Sequence, residues 1–304
     1  MDMIVLWYVL VPVLYSECIA GVIINLIIVA ANIIKWRRAK SVLISDKILS
    51  SLATSRSLYL MKVVLVDIFS HLDLWEIINN PVIFEILNNI SMFLYSTNLW
   101  FATVLCVFYC VKITNHSWKF FILLKTKIST LVPWFLLASL LISLSFSLIF
   151  SLRHLVVEQQ NLLNISMENL TLDDRYMYGD YKMDFMLLLI GSCPPFLIFL
   201  LADSLLLHSL WMHIRRMRSS SSGFRFPNLE SHFSAVKSMS LFLVLQTMYF
   251  VASVYLYSAE FWEITTYYVI CIVIYSPDTL HSLYIISTNS DIKKTYNSRI
   301  CATY

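Results

Sequence analysis

Glycine is nearly missing from this 304-residue chain: Gly21, Gly179, Gly191 and Gly223 are too far apart for a G-x-G-x-x-G turn, a Walker loop, a G-x-S-x-G elbow or a G-x-x-x-G dimer face. Dinucleotide-binding folds, P-loop NTPases and α/β-hydrolases go with them. Charge is scarce too, at 13% of residues against about 25% in soluble domains. The length alone suggests two soluble domains at roughly 150 residues each. Composition overrides that, because with 59% hydrophobic residues no soluble fold could cover the apolar surface with polar groups. The chain belongs in a membrane.

What is present is a set of apolar runs, each near the roughly 20 residues that a helix needs to cross a hydrocarbon core. Seven can be read, at about 6–34, 48–69, 81–112, 128–152, 183–213, 229–257 and 264–288, with a short tail over 289–304. Alternating short strands are absent, which argues against a β-barrel. The expected fold is all-α, one seven-helix membrane domain. Lys and Arg orient it. Sixteen lie after spans one, three and five and in the tail, among them Lys35, Arg37, Arg38, Lys112, Lys125, Arg215 and Lys293; three, Arg153, Arg175 and Lys182, lie on the other side. The N-terminus is therefore expected outside and the C-terminus in the cytoplasm, the first span acting as a retained anchor because its basic cluster follows the apolar run. The formal net charge of +3 is what remains of a basic inner face and an acidic outer one.

The outer loop over 153–182 carries two sequons, Asn164-Ile-Ser166 and Asn169-Leu-Thr171, the expected glycosylation sites; Asn89-Ile-Ser91 lies inside a span and is expected to be unused. All six cysteines fall in spans or in the tail, so no extracellular disulfide is expected. Cys106 and Cys110 share one helix face, but without a His or carboxylate in the same turn they read as packing thiols rather than a metal site. Cys301, behind the basic tail, is either a palmitoylation site or an unmodified cysteine.

Ionisable groups inside spans are costly, so each is a candidate for function. Glu17, Arg56, Lys62, Asp67, Glu85, Asp203, Lys237 and Asp278 are such groups, with His208, His232 and His281 near the inner ends. Several fall in recognisable motifs. Span one has Gly21-Val-Ile-Ile-Asn25 and span two Leu52-Ala53-Thr-Ser55-Arg56. Span three reads Trp100-Phe101-Ala102-Thr103 and then Phe108-Tyr109-Cys-Val-Lys112-Ile113. Span five has Pro195-Phe196 and then Leu205-Leu206-x-x-Ser209-Leu210-x-x-His213, span six opens on His232-x-x-Ala235-x-Lys237, and span seven carries His281-Ser282. Six such motifs in order resemble the bitter taste receptors, the type 2 taste receptor family of G-protein-coupled receptors, over essentially the whole chain.

The resemblance implies a multi-pass plasma-membrane receptor, not an enzyme, that binds small bitter molecules and couples to a gustducin-type heterotrimeric G protein. No cofactor, metal or nucleic-acid partner is implied, and self-association stays open. It departs from the family's pattern in four places: no proline follows His116, Leu123 stands where tryptophan is common, Leu99 stands where asparagine often precedes the span-three tryptophan, and Pro277 lies one residue farther from His281 than usual. A vomeronasal type 1 pheromone receptor is the nearest rival; a transporter would need repeats and broken helices, which this chain lacks.

Two groups of site residues follow. At the inner half, Asn25 is the expected neighbour of Arg56, with Ser282 a further candidate; this cluster reads as a switch or as a passive helix fastener. Tyr109, Lys112, His213, His232 and Lys237, with His281, would form the face that meets the G protein, although snorkelling also explains Lys112. The basic stretch over 215–225 suits an acidic Gα surface, and equally anionic lipid. At the outer half, Asn88, Ser91, Met92 and Tyr95 fall at i, i+3, i+4 and i+7 on one face of span three, as a ligand stripe or as ordinary packing. Asp67, His71, Tyr249, Tyr268 and Cys271 are further candidate contacts, and Asp67 would favour amine-bearing ligands.

Overall fold

The structure, a computed structural model, describes residues 6–39, 43–72, 80–114, 119–165, 173–220, 227–258 and 263–288. After a π-turn at Leu6–Leu10 come seven helices: α1 (Val11–Ala39), α2 (Ile44–His71), α3 (Pro81–Ile113), α4 (Lys119–Ile165), α5 (Asp173–Ser220), α6 (Pro227–Ser258) and α7 (Ile264–Thr288). Each contains a stretch long and apolar enough to cross a bilayer, and no strand occurs among the described residues. The helices overrun the apolar runs, most of all at α4 and α5, because polar residues at a span's end still propagate a helix once the apolar part is formed.

Local chemistry sets the ends. Asn80 caps α3 by accepting from the backbone N–H of Val82 (3.0 Å) and Ile83 (3.4 Å), with Pro81 in the first turn, where its missing N–H costs nothing. At the other end of α3 the Thr114 hydroxyl donates to Cys110 O at 2.6 Å, and Lys125 Nζ of α4 donates to Thr114 O at 3.0 Å. Lys35 and Asp46 close the α1–α2 junction at 2.9 Å. Both junctions lie at the basic end of the bundle.

Neighbouring helices pack in the ring order α1–α2–α3–α4, with α5 against α3, α6 against α5, and α7 closing onto α6 and α1. Helix α3 is the axis, its apolar stretch far more buried than those of α1, α4 and α6. The outer surface is apolar, with Ile190, Leu201 and Trp134 more than half exposed, as a lipid-facing surface requires.

Two of the few glycines sit where helices touch. A Cβ on Gly21 of α1 would run into Thr279 of α7 and Leu60 of α2, and one on Gly191 of α5 would run into the Phe146 ring of α4. Small residues at such crossings let helix backbones approach closely. Proline inside α7 has its own compensation. Pro277 has no N–H for the Val273 carbonyl, and the Ser276 hydroxyl donates to that carbonyl instead, at 3.2 Å. In α5, the Pro195 carbonyl accepts from Thr103 Oγ1 of α3 at 2.9 Å, tying the two helices together.

Candidate functional site

Two polar levels sit inside the bundle. The one nearer the basic end centres on Arg56 of α2, which is 3% exposed. Its Nε meets Asp278 Oδ1 of α7 at 2.9 Å, and its Nη1 lies 3.0 Å from His281 Nδ1 and 3.4 Å from Ser282 Oγ. Arginine has no acceptor, so His281 Nδ1 must be the unprotonated ring nitrogen and the imidazole is neutral with its proton on Nε2. Ser282 passes the chain on, donating to Asn25 Oδ1 of α1 at 2.7 Å, while Asn25 Nδ2 donates to Gly21 O at 2.8 Å. Every donor thus points one way, from α2 through α7 to α1. On the far side the His281 ring stacks on Phe242 of α6 (centroids 4.1 Å apart, planes at 11°), and Phe242 meets Phe199 of α5 edge-on at 5.0 Å. One cluster therefore joins α1, α2, α5, α6 and α7.

This corrects the expected pairing of Arg56. Asn25 is not its neighbour but one bond removed, through Ser282. The partner that sequence reasoning missed is Asp278, three residues before His281 and so on the same side of α7. The signal was available: a buried cation in a membrane needs an anion at its own depth, and Asp278 is the span-seven acid. A second missed residue is Asn98. It lies one position before Leu99, where the family's asparagine is absent, and its Oδ1 accepts from the Ser55 hydroxyl of α2 at 2.6 Å. Asp203 of α5, already a candidate as an ionisable group inside a span, is fully buried, and its Oδ1 lies 3.7 Å from Cys106 Sγ. Cys106 thus does meet a carboxylate, from another helix rather than from its own turn.

The second level lies toward the opposite end. Tyr95 of α3 and Tyr249 of α6 stack at 5.5 Å with planes 30° apart, in an apolar cluster with Leu99, Leu188, Ala252 and Ile270. Both phenols are buried and neither hydroxyl has a hydrogen-bond partner that satisfies it. The hydroxyls of Ser192 and Ser253, which donate to Leu188 O at 2.5 Å and Tyr249 O at 2.7 Å and keep lone pairs free, flank the Tyr95 phenol without standing in hydrogen-bond geometry to it. Ser96 Oγ, Thr97 Oγ1 and Asn98 Nδ2 of α3 are likewise buried without partners. Tyr59 of α2 and Tyr275 of α7 extend this aromatic layer, their rings 5.6 Å apart.

The remaining candidates scatter. Met92 is buried beside this level, while Asn88 and Ser91 are half-buried nearer the start of α3, with Ser91 Oγ donating to Leu87 O at 2.7 Å. Cys271 packs with Leu14, Cys18 and Leu60 in the seam of α7 with α1 and α2; Tyr268 packs against the same seam. Lys112 is exposed with its Nζ 5.5 Å from the Phe108 ring centroid, Tyr109 is half-buried beside that ring, and Lys237 is exposed. The side chains of Asp67, His71, His213, His232 and Asn164 lie outside the described residues, as do Asn169 and Cys301.

Comparison with known proteins places this architecture. The family model of the taste receptor protein (TAS2R) matches residues 3–303. Taste receptor type 2 member 39 of Mus musculus is 32% identical over 287 residues, covering 92% of this chain and 88% of the relative. Taste receptor type 2 member 4 of Gorilla gorilla gorilla is 34% identical, covering 92% and 93%. Taste receptor type 2 member 40 of Gallus gallus is 30% identical, covering 85% and 83%. With seven membrane-crossing helices and a family match along nearly its whole length, the chain belongs to the type 2 taste receptor family, the bitter-taste G-protein-coupled receptors of the plasma membrane.

Proposed function

We propose that small bitter molecules bind at the Tyr95–Tyr249 level and that binding there releases the Arg56 cluster, freeing the basic ends of α5 and α6 to admit a heterotrimeric G protein of the gustducin type. The observation that carries this reading is the pair of stacked, buried phenols with unused hydroxyls. Burying a hydroxyl without a partner costs about 1–3 kcal/mol, and a ligand that supplies the partner recovers it. A ligand shifts the receptor only as far as it binds one arrangement better than the other, and the two levels are near enough for that. Tyr249 is on α6, as is Phe242, the ring on which His281 stacks.

The N-terminus is proposed outside, with the basic end facing the cytoplasm. There Tyr109, Lys112, Lys237, His213 and His232 form the docking face, and the surrounding Lys and Arg also hold anionic lipid. Met92, Asn88, Ser91 and Tyr268 line the approach from outside, with Cys271 behind them in the α1–α2–α7 seam. Asp67 gives the mouth a preference for amine-bearing agonists, with His71 a further contact, and Asn164 and Asn169 carry glycans. The chain is proposed as one seven-helix domain with spans at about 6–34, 48–69, 81–112, 128–152, 183–213, 229–257 and 264–288 and a short cytoplasmic tail over 289–304.

Calcium imaging of cells expressing the chain with a chimeric Gα, against a broad panel of bitter compounds, tests the reading. A response that Tyr95→Ala abolishes at equal surface expression supports it; silence across the panel despite surface expression overturns it. Among active amines, Asp67→Asn is expected to reduce potency, and an unchanged dose-response would remove the amine preference.

A further inference from the structure

Asp203 of α5 belongs to neither polar level. It lies one helical turn nearer the basic end than Phe199 and is fully buried against α3. Around it, Cys106, Phe199, Ala202 and Leu206 belong to one apolar cluster that extends from α2 to α6. No cation pairs with it among the described residues. Helix α3 turns Cys106 and Cys110 toward it, while α4 gives the cluster apolar residues such as Ile128 and Val132, with Lys125 held at Thr114 O and Lys127 exposed. Lys237 of α6 and His208 of α5 itself are exposed.

The hydrogen bonds on offer suit an acid better than its anion. Oδ1 lies 3.7 Å from Cys106 Sγ, a weak donor whose single proton has a second acceptor in Phe199 O at 3.8 Å. Oδ2 is buried with no partner. A carboxylate at this place would leave its charge desolvated, a cost that a buried group escapes by keeping its proton. As an acid, Asp203 accepts the thiol bond at Oδ1 and carries its proton on Oδ2.

We propose that Asp203 is a proton-binding site that holds the α3–α5 seam in the resting arrangement and releases its proton to the cytoplasm when the basic end opens. Cytosolic protons are then a negative effector of G-protein binding. This lock rests on the opening of the basic end proposed above. Cys106, beside Asp203, is only about 10 Å from the end of α3 at Ile113, at about 1.5 Å per residue, so a modest separation of α5 from α3 brings water to the carboxyl group. In water an aspartic acid is ionised at neutral pH. Linkage gives the sign: the open state binds one proton fewer, so rising cytosolic pH favours it, by at most about tenfold per pH unit for a single proton.

The test is infrared spectroscopy of the full receptor in dodecyl maltoside, a detergent without a carbonyl group, at neutral pH. The wild type is expected to show a carbonyl stretch of a protonated carboxyl group that Asp203→Asn removes. Cys106→Ser puts a stronger donor beside Oδ1 and is expected to lower the frequency of the same band, which identifies the acid even if Asp203→Asn fails to fold. A wild-type spectrum without that band, or a band that Cys106→Ser leaves in place, overturns the proposal. Nucleotide-free heterotrimeric G protein of the gustducin type is then added. The band is expected to fall, and the affinity of the wild type for the G protein to rise with pH by up to about tenfold per unit more steeply than that of Asp203→Asn. Equal slopes overturn the proposal. A G protein that binds neither protein at any pH sinks the receptor reading instead, and the two failures are told apart because the band is read before any G protein is present.

Discussion

The two polar levels of this bundle are built to opposite rules. Around Arg56, donors and acceptors meet in sequence from α2 to α1, and a buried charge faces its counter-ion at 2.9 Å. Around Tyr95 and Tyr249, buried hydroxyl and amide groups are left without partners. Paired groups hold helices together, whereas unpaired ones cost stability unless something else satisfies them, and the Arg56 level keeps one of its own in Asp278 Oδ2. On the proposed reading, the first level maintains an arrangement and the second waits for a ligand.

The sharpest way to break that comparison is to unpair the charge. Asp278→Ala leaves Arg56 buried without its anion and is expected to destabilise the receptor by about 3–5 kcal/mol, read as thermal unfolding in nanodiscs. Loss of less than a quarter of that would mean that the ion pair is not what holds α2 to α7. Next comes the crossing beside the cluster. Gly21→Val forces a side chain into Thr279 and Leu60, and an overpacked site of this kind costs about 1–3 kcal/mol, with raised basal signalling expected if the crossing sets the resting arrangement. Ser55→Ala removes the bond to Asn98 and should cost less, about 0.6–2 kcal/mol, the range for hydrogen bonds between membrane helices. The smallest effect is expected at the other level. Tyr95→Phe deletes a hydroxyl that has no partner and should raise stability, by up to about 1 kcal/mol, the lower end of the cost of burying that group unpaired.

Much of the fold was legible in the sequence, because a membrane span must be a long apolar run and basic clusters bound those runs whatever the helices do next. The helix ends of α4 and α5 were not, since the signal was hydropathy and the helices continue past it. The residues of the Arg56 cluster were legible one by one, as costly polar groups at similar depth. Their pairing was not. Whether Arg56 reaches Asn25 or Asp278 depends on how α1, α2 and α7 cross, and that crossing is set by Gly21 against Thr279 and Leu60, a contact with no trace in either helix alone. For the same reason the spacing of Met92 and Tyr95 indicated a face of α3 but not that Tyr249 of α6 would lie on it. Asp203 and Cys106 are a third instance: each stood out in its own helix, but not their meeting across α3 and α5.

The most direct measurement is made on the Tyr95→Phe, Tyr249→Phe double variant, with thermal stability and agonist potency recorded side by side for any compound that activates the wild type. If the upper level is held open for a ligand, stability stays level or rises while potency falls by about tenfold or more, the loss expected when a ligand's hydrogen-bond partner is removed. A variant that unfolds earlier yet keeps wild-type potency would contradict this, placing the two phenols among the groups that hold the bundle together.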